Sequence, residues 1–185
     1  KLCMGKVPRL HEEKLDDTDR QMMAEFGIAK AKVEESIEQF KFREALFEVI
    51  DLARKGNKYL QEKEPWILAK NLASNPENQE GIDNCLHICL QLCANLSILI
   101  NPFLPFTAKK LIYMMKVVEK MLDWENAGKT KLLSVGYSMR EPQLLFRKIE
   151  DEEVAAQVEK LKAGTKQSPV ASSQSANYSQ QERVG

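Results

Sequence analysis

A proline and a tryptophan placed side by side, Pro65-Trp66, constrain the folding of this chain more than any other feature of the sequence. Upstream of them, apolar residues recur at Phe42, Leu46, Val49, Ile50, Ala53 and Leu60, which is a helical period. Proline biases its predecessor away from helical geometry, so this helix is predicted to end near Lys63. Proline is also at home in a helix's first turn, where its missing N–H is not needed. Residues 65 to 70 therefore read as a new short helix with Trp66 near its start. Asn57 falls on the apolar stripe, four residues after Ala53. An amide buried there needs partners, since leaving it unpaired costs about 1–3 kcal/mol.

Trp66 admits two readings. Its indole packs under the turn and holds two helices together, or its face is partly exposed as a stacking platform for an unpaired base. Such stacking is worth about 1–3 kcal/mol per base. Arg54, Lys55, Lys58, Lys63 and Lys70 are the nearby cations for a phosphate backbone. Spacing alone does not decide between the two.

The rest of the chain is helical in pattern. Asp17 or Thr18 is placed to cap a helix, with Gln21 as the capping-box partner, and its apolar face runs through Met22, Phe26, Val33, Ile37 and Phe40. Residues 74 to 78 read as a turn. From about Glu80 to Asn101 apolar residues cover most of the circumference, leaving a narrow polar line at Asn84, His87, Gln91 and Asn95. A helix of that kind belongs in the middle of a bundle. Pro102 and Pro105 bracket a turn, a helix is predicted from Thr107 to Leu122, and Trp124 is expected to plug the bundle's end. Residues 125 to 143 read as loop with a short extended pair, and Leu144 to Ile149 as a segment that docks on the core. Asp151 to Lys162 is predicted helical, and residues 163–185 form a Ser- and Gln-rich tail expected to be flexible. The expected organisation is one helical domain over 1–162 followed by this tail.

Charge and cysteines narrow the function. Lys plus Arg and Asp plus Glu both number 27, whereas a general nucleic-acid coater carries a broad cationic face. A local contact patch is favoured instead. Cys85, Cys89 and Cys93 lie four residues apart, a spacing poor for disulfides, so buried free thiols and a reducing, cytoplasmic setting are expected. No metal site is expected, because His87 faces away from Cys85. The stretch from Ile82 to Ile100 is broken by Asp83, Asn84, His87, Gln91 and Asn95, which argues against a membrane span. There is no Gly-rich phosphate loop, no Ser/His/acid set and no zinc spacing, so no catalytic residue is assigned.

Five stretches carry a resemblance. They are Gly56-Asn57-Lys58-Tyr59-Leu60 with Glu64-Pro65-Trp66-Ile67-Leu68-Ala69-Lys70; Met4-Gly5-Lys6-Val7-Pro8; Phe40-Lys41-Phe42-Arg43-Glu44-Ala45; Pro102-Phe103-Leu104-Pro105-Phe106; and Leu144-Leu145-Phe146-Arg147-Lys148-Ile149-Glu150. In register from residue 1 to about 162, the chain resembles the anticodon-binding domain of the methionyl-tRNA synthetases. The resemblance implies an all-α bundle of the class I aminoacyl-tRNA synthetase anticodon-binding type. It also implies a role for Pro65 and Trp66 at the anticodon pocket, the tryptophan stacking on an anticodon base of tRNA(Met). Asn57 is a weaker candidate for a polar contact, and Arg54, Lys58 and Lys70 for phosphate contacts. The family's other anticodon readers, an Asn and an Arg, sit on a first helix whose tail alone is expected here. No cofactor is implied within the chain; ATP, with zinc as a further candidate, belongs to a catalytic domain outside it. That domain and tRNA(Met) are the implied partners, and in some members an OB-type RNA-binding domain follows. Two rivals stay open: the anticodon domain of another class I synthetase, and a helical bundle that binds only proteins.

Overall fold

Helix α1 (Asp17–Glu38) begins one residue after Asp16, whose carboxylate accepts the Asp19 N–H at 2.9 Å while Asp19 accepts the Asp16 N–H at 3.1 Å. This reciprocal capping box replaces the one expected at Thr18 and Gln21. Aspartate is among the strongest N-caps, and a second carboxylate in the first turn also faces the helix's positive end. Met22, Phe26, Ala29 and Val33 are buried as their spacing requires, and Ile37 packs against the same core at its edge. Phe40, assigned to the same face, is 81% exposed. The helix stops at Glu38 and Phe40 takes a left-handed conformation, φ 60°, outside the helical period.

Two units make up the chain, residues 1–145 and 146–185, and the structure, a computed structural model, describes residues 2–165. After α1 come α2 (Phe42–Lys63), α3 (Pro65–Lys70), α4 (Asn78–Ile100) and α5 (Pro105–Met115) in the first unit and α6 (Asp151–Thr165) in the second. Single 3-10 turns lie at Glu12–Lys14, Glu119–Leu122 and Trp124–Asn126. Among the described residues there is no strand, only an isolated antiparallel bridge between Lys6 and Ser138. The short extended pair expected within residues 125 to 143 is not formed there; Ser138 pairs instead with Lys6.

The end of α2 and the start of α3 fall where Pro65 predicts, but the buried face of α2 is rotated from the predicted one, with Val49 common to both. Ala45, Val49, Leu52, Gly56 and Tyr59 are inside, while Phe42 and Ile50 are exposed and Leu46 and Leu60 sit at the core's edge. Counting large apolar residues missed the small ones. A Cβ on Gly56 would lie 2.1 Å from Leu92 Cδ2, so the bare backbone lets α4 approach closely. The same rotation leaves Asn57 exposed, not on the buried stripe.

Helix α4 is the central helix, with Ile82, Cys85, Ile88, Leu92 and Ile98–Ile100 in the core. It is long and apolar enough to cross a membrane, but 67% of its most apolar stretch is buried inside the bundle, as in a core helix. Its polar line is buried too and anchors the connectors. Asn84 accepts the His11 N–H at 2.7 Å and donates to the His11 carbonyl at 3.1 Å, and the His87 ring meets the Pro8 carbonyl at 2.8 Å. Gln91 donates to the Leu133 carbonyl at 2.8 Å and accepts the N–H groups of Leu132 and Leu133 at 2.7 and 2.9 Å. Asn95 donates to the Lys129 carbonyl at 2.9 Å and accepts the Gly128 N–H at 2.7 Å. Each amide satisfies loop backbone that would otherwise be buried unpaired.

Helix α5 ends at Met115, seven residues short of the prediction. Lys116 turns left-handed (φ 61°), and the Lys116 and Val117 N–H groups bond back to the Tyr113 and Ile112 carbonyls at 3.0 and 3.1 Å. Trp124 plays the expected packing role: half-buried against the core, its indole donates to Glu34 Oε1 at 2.9 Å. The four cysteines are unpaired, and Cys85 is fully buried.

At the end of the first unit, Leu144 is 88% exposed where burial was expected, while Leu145 is half-buried. In the second unit, α6 runs three residues beyond Lys162 with Val154, Val158 and Leu161 exposed along one side. The tail expected to be flexible lies, from residue 166 on, outside the described residues.

Candidate nucleic-acid interface

One residue, Glu64, both ends α2 and starts α3. Its backbone is left-handed (φ 40°, ψ 52°). Its N–H bonds back to the Leu60 carbonyl at 3.2 Å, and its own carbonyl accepts the N–H groups of Ile67 and Leu68 at 2.8 and 3.2 Å. Pro65 follows in the first helical position and is buried. Its ring locks φ and sets the direction in which α3 leaves. On the far side α3 rests on α4, where Asn78 Nδ2 donates to the Leu68 carbonyl at 3.4 Å and a methyl of Leu68 lies over Gly81.

This geometry leaves Trp66 on the outside, 43% exposed, with Ile67 exposed beside it. Among the described residues nothing accepts its indole N–H and no other ring stacks on it. The ring is neither part of the core nor sealed beneath the turn.

The cations divide into two sets. Lys55 is held at 2.9 Å from Glu25 and 3.1 Å from Asp51, and Lys63 at 2.7 Å from Asp16 and 2.8 Å from Asp19. Both ammonium groups are consumed by the scaffold. Arg54 lies with its guanidinium 5.7 Å from the centre of the exposed Phe47 ring, Lys58 is 3.5 Å from the exposed Glu62, and Lys70 is exposed at the last turn of α3. Arg54, Asn57 and Lys58 thus occupy the later turns of α2, and Pro65, Trp66 and Lys70 occupy α3, with Glu64 between the two groups.

The cluster beneath the corner was not singled out from sequence. Asp19 is 1% exposed and accepts the Tyr59 hydroxyl at 2.7 Å as well as the Lys63 ammonium. Burial alone would raise the Asp16 carboxyl, but the hydrogen bond from Lys63 and the N–H groups of Asp19 and Thr18 hold it below its ordinary value. Burial works to lower the Lys63 ammonium, and the bonds and charges of Asp16 and Asp19 override it and push it up. The Tyr59 hydroxyl is pushed up by burial first and by its bond to Asp19 second. Tyr59 and Lys63 lie four residues apart on α2, so they share a face, which is the one signal in the sequence that joined them.

For metal binding, a ring nitrogen of His11 and carboxylate oxygens of Glu13 and Glu80 lie within 4.8 Å of one another. Two of the three groups already have partners, since Lys14 sits 3.6 Å from Glu80 and Asp83 sits 3.3 Å from the His11 ring.

Residues 8–167 match the family model described as the anticodon binding domain of methionyl tRNA ligase. A methionine–tRNA ligase of Phocaeicola vulgatus is 44% identical over 174 residues, covering 94% of this chain and 23% of the relative. One from Cytophaga hutchinsonii is 45% identical over 148 residues, covering 80% of this chain and 20% of the relative. This chain therefore spans less than a quarter of the length of these relatives. The free-state crystal structure of Mycobacterium tuberculosis methionyl-tRNA synthetase superposes with a TM-score of 0.71 over 80% of this chain and 30% of that one, at 20% identity. That similarity shows a shared fold. By the family match and the close relatives together, the chain belongs to the anticodon-binding domain family of the methionyl-tRNA ligases.

Proposed function

We propose that this chain is the anticodon-recognition module of a cytoplasmic methionine–tRNA ligase that joins methionine to tRNA(Met) at the expense of ATP. The module binds and does not itself catalyse. Anticodon bases leave their own stack and one lies on the face of Trp66, while Pro65 fixes the angle of the ring. Lys70 and Arg54 supply charge to the flanking phosphates, with Lys58 and Asn57 in weaker supporting contacts. Sequence-specific RNA recognition works on such splayed loop bases, through aromatic faces and base-edge hydrogen bonds. The ATP and methionine chemistry belongs to a catalytic domain joined to this one.

The single observation that carries the reading is the exposed, unpartnered ring of Trp66 at the start of α3. A core tryptophan would be sealed, and truncating it would cost about 3–5 kcal/mol of stability. The test is Trp66→Ala in the full-length protein, measuring tRNA(Met) affinity, kcat/KM for charging and Tm together. Affinity and kcat/KM are expected to fall while Tm stays near wild type. A large drop in Tm with tRNA affinity unchanged would overturn the reading in favour of a bundle that binds only proteins.

A further inference from the structure

We propose that Lys63, together with Asp19 and Tyr59, is a positioning unit that fixes where the Trp66 ring is presented and so sets how sharply the anticodon is read. This rests on the reading of Trp66 given above.

A helix that ends on a left-handed residue is closed either by two backbone bonds, the second from the residue after the turn, or by a single bond from the left-handed residue to the carbonyl four residues back. Helix α1 has both: the Phe40 N–H bonds to the Ile37 carbonyl at 2.9 Å and the Lys41 N–H to the Ser36 carbonyl at 2.8 Å. Helix α5 has both as well. At the end of α2 the second donor would be residue 65, and a proline has no N–H. The end of α2 therefore takes the single-bond form, Glu64 N–H to the Leu60 carbonyl, while the Glu64 carbonyl accepts the Ile67 and Leu68 N–H groups of α3. The same residue holds a left-handed conformation without being glycine, which no intrinsic preference supports. The corner that carries Trp66 thus lacks the second backbone bond that closes the other two left-handed turns.

The side chains of the preceding turn supply what is missing. Lys63, one residue before Glu64, reaches back across α1 with its side chain only 14% exposed. It ends between Asp16 and Asp19, at 2.7 and 2.8 Å. Those two aspartates are themselves immobilised as the capping box of α1. Tyr59, one turn earlier on α2, donates to the same Asp19 carboxylate at 2.7 Å. The last two turns of α2 are thus bonded to the start of α1, through Tyr59 and through Lys63, the latter three residues before Trp66. A well-packed apolar contact would stabilise such a junction as well or better, because taking charges out of water is costly. What ionic and hydroxyl bonds add is direction: they hold the helix end in one place and one rotation. Placement matters here because a stacking face must lie where the base arrives, and a shift of about 1 Å is enough to cost function.

The experiment uses the full-length protein and two RNAs, tRNA(Met) and the same tRNA with one anticodon base changed, and reads the ratio of their Kd values. Lys63→Met is expected to reduce the ratio about tenfold (roughly 1.4 kcal/mol of discrimination), and Lys63→Arg, which keeps the charge, to recover most of it. Tyr59→Phe, which removes one bond and no charge, is expected to reduce it about threefold and serves if Lys63→Met does not fold. As a control, Ile98→Ala in the distant core of α4 is used, with temperature chosen so that its margin below Tm equals that of Lys63→Met. It should leave the ratio unchanged. A full ratio in both Lys63→Met and Tyr59→Phe, or an equal loss in Ile98→Ala, would overturn the proposal. Trp66→Ala separates the two readings. If it leaves tRNA(Met) affinity intact, the stacking role of Trp66 fails; if it lowers affinity while the Lys63 and Tyr59 variants keep the full ratio, only the positioning unit fails.

Discussion

Two elbows in this bundle solve the same geometric problem in different ways. Between α1 and α2, and again between α2 and α3, the chain turns through a left-handed residue that is not glycine, Phe40 in one case and Glu64 in the other. Each turn leaves an aromatic ring outside, Phe40 itself and Trp66. The first elbow is closed by two backbone hydrogen bonds and needs no help from buried side chains. Phe40 merely leans edge-on against Phe42, with ring centres 6.3 Å apart. The second elbow has lost one backbone bond to Pro65 and is held by Lys63, Asp16, Asp19 and Tyr59 instead. An exposed aromatic is thus not in itself a sign of function; a ring whose support has been built from buried charge is a stronger one. Buried ion pairs are costly to assemble, and they are strongly felt when one partner is removed.

The contrast can be tested in order of effect. Asp19→Ala should destabilise the fold most, by about 3–5 kcal/mol in urea unfolding, since it leaves the Tyr59 hydroxyl without its acceptor and Lys63 with half its compensation. A loss under about 1 kcal/mol would mean the brace is ornamental. Trp66→Ala comes next, with tRNA(Met) affinity falling by about 1–3 kcal/mol, the range for a lost base stack. Phe40→Ala, its counterpart at the other elbow, should leave affinity unchanged in the same binding assay; equal losses would erase the distinction between the two rings.

The pH response is smaller. Asp16 is held below its ordinary value of 3.8, so its contribution is complete above that pH and disappears as pH falls through the lowered value. Lys63 is held above 10.5, so its contribution is complete below that pH and is lost only as pH rises beyond it. The stability advantage of wild type over Asp16→Asn should therefore be flat through neutral pH and vanish in acid. Its plateau should be at most about 1 kcal/mol, because Asp16 is largely exposed to solvent. An advantage that grows as pH falls would reverse the assigned sign. Least affected should be Phe40→Gly. Relief of the left-handed strain is offset by the entropy glycine adds to the unfolded chain and by loss of the Phe42 contact, leaving stability within about 0.5 kcal/mol of wild type.

Much of the architecture was legible in the residues. The Pro65 stop, the short helix after it, the central position of α4 and the packing role of Trp124 all follow from local chemistry: a missing N–H, an apolar circumference, an amphipathic ring. Other features depended on partners distant in sequence. The buried face of α2 is set by Gly56 meeting Leu92, so the large apolar residues that suggested another face are left at the edge or outside. The polar line of α4 is buried because loops 34 to 73 residues away arrive with backbone groups to be satisfied (Asn84 with His11, Gln91 with Leu132 and Leu133, Asn95 with Lys129). For the candidate interface, the Pro-Trp corner and its cations could be read directly. Which cations were free could not, because Lys63 is neutralised by aspartates more than forty residues away.

By itself, then, the sequence determined the break at Pro65 and that a short helix with a tryptophan near its start follows it, since these depend on dihedral limits and hydrogen-bond donors within a few residues. Only the tertiary structure decided that the indole faces outward and that Lys63 is spent beneath it. Exposure and charge compensation are properties of what lies across a gap in space, and the carboxylates across that gap are contributed by the start of another helix.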